Sequence, residues 1–144
     1  MIRARRQRAE RRQLVATEAD LLDELRGLRA RLPHLTGALA ASTDGLVLAR
    51  DTAPETAESL AALTAAALGV ARQLTETTGQ GAFQELLVRG EHGYVATYAA
   101  GASAVLTLLA LPRTNVGRLH LEARRAGVRI GALVDSALNR SEAP

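Results

Sequence analysis

Leu21, Leu25, Leu28 and Leu32 recur at intervals of four, three and four, the repeat of one helical face. Pro33 ends that repeat, because proline cannot continue a helix and disfavours helical geometry in the residue before it. Thr17–Glu18–Ala19–Asp20 resembles a capping box with Asp in the last place, which predicts a helix start there. The next stretch, Leu35–Arg50, reads LTGALAASTDGLVLAR, two apolar strands around a tight turn at Thr43–Asp44–Gly45. Asp-Gly marks such hairpins because glycine accepts positive φ without steric cost. Leu46 and Leu48 alternate with Val47 and Ala49, so both faces of the second strand are apolar and cover is expected on both sides.

Pro54 suits the first turn of a second helix, with Glu55 and Glu58 near the positive end of its dipole. That helix runs to about Thr78, where Gly79 supplies a left-handed cap. Leu60, Leu63, Ala67, Ala71 and Leu74 form one of its faces, and Ala62, Ala65, Ala66 and Gly69 form a second made of small residues. Three strands are predicted next, within Gly81–Arg89, Tyr94–Ala99 and Ala102–Leu111. The intervening turns are short, so the strands form an antiparallel meander. The last is the most continuously apolar and reads as central. Val116, Leu119, Ala123, Ala126, Ile130, Leu133 and Ala137 then trace one helical stripe, entered through Thr114 or Asn115 as cap. Gly127 and Gly131 each cost that helix about 1 kcal/mol against alanine, which close packing on the sheet or the first helix would offset. The order is α-β-β-α-β-β-β-α, an α+β chain.

The small-residue face of the second helix has no partner within this arrangement, since the first and last helices belong on the sheet's other side. A second copy of the same helix across a two-fold axis would cover it. The third strand, Gln84–Arg89, is a candidate sheet edge, and an open edge invites pairing with another chain. Together these predict a homodimer through Ala62, Ala65, Ala66 and Gly69 on the helix and Gln84, Leu86 and Val88 on the edge.

Charge adds one feature. Residues 1–12 hold six Arg and one Glu, while the rest of the chain sums to −2 within a total of +3. The chain therefore divides into a basic arm (residues 1–16), a near-neutral domain (17–139) and a short tail (140–144). The arm reads first as a solvated helical extension, and second as a contact for nucleic acid or an anionic surface. It has no interleaved aromatics for base stacking, so nucleic acid is not an expected partner. At 144 residues and 47% apolar content the chain has room for one real core. No run approaches the ~18–20 apolar residues of a membrane span, and no apolar stretch follows the basic N-terminus as in a signal peptide. Cysteine is absent, which excludes disulfides and thiolate chemistry. A cytoplasmic location is expected.

LPHLTGALAASTDGLVLARD, ETAESLAALTAAALGVARQL and RGEHGYVATYAAGASAVLTLLA followed by NVGRLHLEARR resemble the roadblock/dynein light chain family in its bacterial branch, over roughly residues 17–139. The resemblance implies a five-stranded antiparallel sheet with one helix on one face and two on the other. It also implies a homodimer through the third strand and second helix, and a small Ras-like GTPase as partner, regulated or activated by the dimer. The GTPase would meet the dimer's two-helix side, where Glu55, Glu58, Thr64, Arg72 and Gln73 are polar.

No phosphate-binding loop, HExxH or GxSxG motif occurs, so no catalytic residue, metal or cofactor is assigned and no enzyme is expected. His34, His92 and His120 are scattered and read as surface residues. Ser42 reads as a cap on the Asp-Gly turn, and Tyr94 and Tyr98 as packing residues of one strand face. If a GTPase is stimulated, either an inserted arginine (Arg50, Arg89 or Arg113) neutralises phosphoryl charge, or binding sets the GTPase's own catalytic residues in place. Alternative readings are a small-molecule sensor, which would need convergent polar groups in an apolar cleft, and the anion-binding arm.

Overall fold

The computed structural model describes residues 1–142, and the side chains of all of these except residues 13–16. The order is α1 (Ile2–Arg31), β1 (Leu35–Ser42), β2 (Val47–Asp51), α2 (Pro54–Thr77), β3 (Glu85–Gly90), β4 (Gly93–Ala100), β5 (Ala104–Ala110) and α3 (Val116–Glu142). The five strands form one antiparallel sheet in the order β2-β1-β5-β4-β3. The expected α+β architecture is therefore present, with β5 central and β3 at an edge.

The two sheet faces are covered unequally. Leu21, Leu25 and Leu28 of α1 and Leu119, Ala126 and Ile130 of α3 pack on Ala38, Ala40, Leu106 and Leu108 as the main core. On the other face α2 stands alone. Its Ala57 and Ala61 meet Leu39 and Ala41, and its Leu68 and Ala71 meet Phe83 and Val105. Outer strands of a five-stranded sheet lie about 19 Å apart, whereas one helix is about 10–12 Å wide. One helix cannot cover that face, and the second half of β3, residues 88–90, is left exposed.

Local chemistry sets the element ends. Gly45 has φ 94° in the β1–β2 turn, and Ser42 Oγ accepts the Leu46 N–H at 3.0 Å, so Ser42 does cap the turn. At the end of α2, Gln80 N–H donates to Thr75 O (2.8 Å) and Gly79 N–H to Glu76 O (3.1 Å), a Schellman motif with Gly79 at φ 73°. Asn115 Oδ1 accepts the Arg118 N–H at 3.1 Å and caps α3. The cost of Gly131 is explained by contact. A Cβ there would lie 2.5 Å from Gly101 N, so the helix backbone rests directly on the β4–β5 turn. Gly127 sits in the same way over Ala99 O. Ion pairs tie the sheet edges to the two-helix layer, Arg29–Asp51 (3.2 Å) at β2 and Arg124–Glu85 at β3.

Three expectations need correction. Thr17–Asp20 does not start a helix. α1 begins at Ile2 and runs through it for 30 residues, because no breaker separates the arm from the domain and Ala, Arg and Gln are good helix formers. The tail expected at residues 140–144 is helical as far as Glu142, and its last two residues lie outside the described ones. On α2 the face turned to the sheet is Ala57, Ala61, Thr64, Leu68 and Ala71. Leu63 and Leu74, assigned to the face with Leu60 and Ala71, are 67% and 62% exposed.

Candidate interaction face

The outer surface of α2 is apolar. Leu63, Val70 (60% exposed) and Leu74 recur at seven and four residues and form one stripe, with Ala66 beside it. This stripe lies away from the buried row, since 100° per residue separates the two by about 120°. On β3, Leu86 packs toward α2 while Leu87 packs into the opposite core, so Val88 alternates onto the α2 side, where it is 51% exposed. Three large apolar side chains on the helix and one on the open edge thus face solvent from the same side of the sheet.

The expected dimer residues divide accordingly. Ala62, Ala66, Gly69, Gln84 and Val88 are exposed, Leu86 is half-buried, and nothing lies within 4 Å of where a Gly69 Cβ would stand. Ala65 is half-buried under the hairpin turn, its Cβ 3.4 Å from where a Gly45 Cβ would be. Of the polar positions, Glu55, Glu58 and Gln73 are exposed and Arg72 is half-buried. Thr64 is not on the surface. It faces the sheet at 6% exposure, and its hydroxyl donates to Leu60 O and Ala61 O at 2.8 and 3.2 Å. A threonine can enter an apolar layer in this way because the helix's own carbonyls satisfy its only donor. Thr97 and Thr107, whose hydroxyls are 3.3 Å apart, are buried on the same face of the sheet.

Chemistry on the sheet face covered by α1 and α3 centres on Tyr98. Its hydroxyl lies 2.6 Å from His120 Nδ1, and its ring is buried in the core as expected. His120 is thus half-buried and partnered, unlike the surface residue expected. Burial, and then the Glu85 charge, push the Tyr98 phenol well above its ordinary value. Glu85 is held below its ordinary value, chiefly by its hydrogen bond to Arg124. Arg50 and Arg89 lie on β2 and β3, at opposite sheet edges, and Arg113 lies in the β5–α3 loop, so the three do not converge. A cleft of about 270 Å³ between α1, β2 and α3 is lined mainly by Leu21, Val47, Leu48, Val134, Ala137 and Leu138.

Among the described residues, no helix is long and apolar enough to cross a membrane.

Comparison with known proteins agrees with this geometry. The protein MJ1340 of Methanocaldococcus jannaschii, itself uncharacterized, is 29% identical over 100 residues, covering 69% of this chain and 87% of that protein. Among solved structures, a gliding protein mglB from Thermus thermophilus superposes with a TM-score of 0.76 at 24% identity, covering 84% of this chain and 93% of that one. A Roadblock/LC7 domain from Streptomyces avermitilis gives 0.69 at 25% identity, over 85% and 98% of the two chains. The Roadblock/LC7 domain model matches residues 21–110, from the buried Leu21 of α1 to the end of β5. The chain therefore belongs to the Roadblock/LC7 domain family.

Proposed function

We propose that two copies of this chain join through the apolar face of α2 and the open edge of β3, and that the dimer is a non-enzymatic adaptor that binds and regulates a small Ras-like GTPase in the cytoplasm. The observation that carries this reading is the solvent-facing row Leu63, Val70 and Leu74 on the same side of the sheet as Val88. Exposed apolar surface of this kind marks a protein-binding site. An unpaired edge beside it supplies directional hydrogen bonds for an antiparallel partner. A two-fold axis there would satisfy both needs with one self-complementary patch. A similar structure, MglB, is described in a tetrameric arrangement, which supports self-association as a property of this fold.

The GTPase half of the reading rests on the resemblance to the bacterial roadblock branch, which membership of the Roadblock/LC7 domain family supports. With no convergence of Arg50, Arg89 and Arg113 at a common point, the reading favours action by binding over action by an inserted arginine. GTP hydrolysis by small Ras-like GTPases of the source organism, measured with and without the chain, tests it. A changed rate, or binding that differs between GTP- and GDP-loaded forms, supports the reading. An unchanged rate together with nucleotide-independent or absent binding refutes it.

A further inference from the structure

The first three turns of α1 are a marginal helix, favoured by propensity and by continuity with the packed turns and opposed by their charge. Every residue from Met1 to Arg12 is exposed, so no packing holds the turns helical. Met1 makes no side-chain cap, and the first turn has no acidic residue to oppose the helix dipole. Arg8 and Arg12 stand four apart, and Arg3–Arg6, Arg5–Arg8 and Arg8–Arg11 stand three apart. Each of these like-charge pairs opposes helix formation. Among the described residues one ion pair opposes this repulsion within the arm, Arg6–Glu10 at 3.3 Å, and both side chains are largely exposed. A helix polar on all sides, repelling itself and without a packing face, gains stability from a partner that neutralises its charge.

The charge distribution specifies the partner. At 100° per residue the six arginines encircle the axis with no gap wider than about 100°. A flat anionic surface engages one side of a cylinder and leaves the rest unused. An interfacial membrane helix also needs a face of large apolar residues, and residues 2–12 offer Ile2 and two alanines. Phosphates on both walls of a groove, by contrast, meet a helix charged all round. The B-DNA major groove, about 12 Å wide, admits an α-helix. Arginine's planar fork suits phosphate oxygens. Backbone contact of this kind does not need the base-stacking aromatics that the arm lacks.

We propose that residues 2–12 of α1 bind duplex DNA through its phosphates, and that this neutralisation further stabilises the arm's helix. The test is fluorescence anisotropy with a labelled 20-base-pair duplex, using the full chain and a full-length variant carrying Arg3→Gln, Arg5→Gln, Arg6→Gln, Arg8→Gln, Arg11→Gln and Arg12→Gln. Six engaged phosphates give a log–log salt slope near −5, or roughly a 10³-fold loss of affinity between 50 and 200 mM salt. The variant should bind at least 100-fold more weakly while keeping its thermal midpoint. Far-ultraviolet circular dichroism should show helix gained on adding DNA to the wild type and none in the variant. Equal binding by both chains, a salt slope near zero, or no gain of helix on binding would overturn the proposal. So would binding to phosphatidylserine vesicles or to an acidic peptide without binding to the duplex.

Discussion

Val70→Asp separates folding from assembly. Val70 is 60% exposed and belongs to none of the buried clusters, so its replacement should change the stability of the single chain by no more than about 0.5 kcal/mol. In the proposed dimer its exposed portion is covered. Full burial of an aliphatic side chain is worth about 1.5–3 kcal/mol, so the uncovered three-fifths is worth about 1–2 kcal/mol per copy. A two-fold interface contains the residue twice, giving about 2–4 kcal/mol, before any cost of bringing two carboxylates into a dry contact. At 1.4 kcal/mol per tenfold, the dimer Kd should rise about 30- to 700-fold. Sedimentation velocity across a dilution series measures that shift, and circular dichroism checks that helix and strand are retained. A variant that dimerises as tightly as the wild type would refute the placement of the interface. A variant that loses its secondary structure would refute the claim that Val70 is free of the core.

Other consequences are local. Gly131→Ala places a Cβ 2.5 Å from Gly101 N and 2.8 Å from Ala100 C, so backbone must move. Overpacking costs about 1–3 kcal/mol against a helix-propensity gain of about 1 kcal/mol, and a midpoint lowered in urea or thermal unfolding is expected. Tyr98→Phe leaves the half-buried His120 Nδ1 without its partner and should lower stability by about 1 kcal/mol, read by the same melts. Arg124→Gln removes the hydrogen bond that lowers the Glu85 pKa. A carboxylate depressed in the folded state adds stability above its ordinary value of 4.5 and loses it as pH falls through the folded value. The wild type should therefore exceed the variant only slightly at neutral pH, since the pair is solvent-screened. The two should converge in acid, as unfolding followed against pH will show.

Elements with breakers were legible from the sequence. Pro33, Asp44–Gly45, Pro54, Gly79 and Asn115 each impose a backbone geometry locally, and each stands at an observed boundary. The facing of α2 was not legible. Between Ala57 and Leu74 that helix is apolar or small at most positions, so periodicity offers several stripes and none stands out. Thr64 decided it, and sequence assigned it to the surface because a hydroxyl reads as polar until its bond to Leu60 O is seen. The arm's continuity with α1 was hidden for another reason. A capping signature at Thr17 matters only where the preceding residues leave the helix, and here they do not. The Tyr98–His120 contact joins residues 22 apart on different elements, and no local pattern announces it.

Hydrogen exchange along Glu85–Gly90 tests the central claim most directly, because β3 pairs with β4 on one side and has no strand on the other in the single chain. In a dimer joined along this edge, its outward amides should exchange slowly at concentrations where two copies associate, and speed up on dilution and in Val70→Asp. Fast exchange at those amides under conditions where the chain sediments as a dimer would contradict the account.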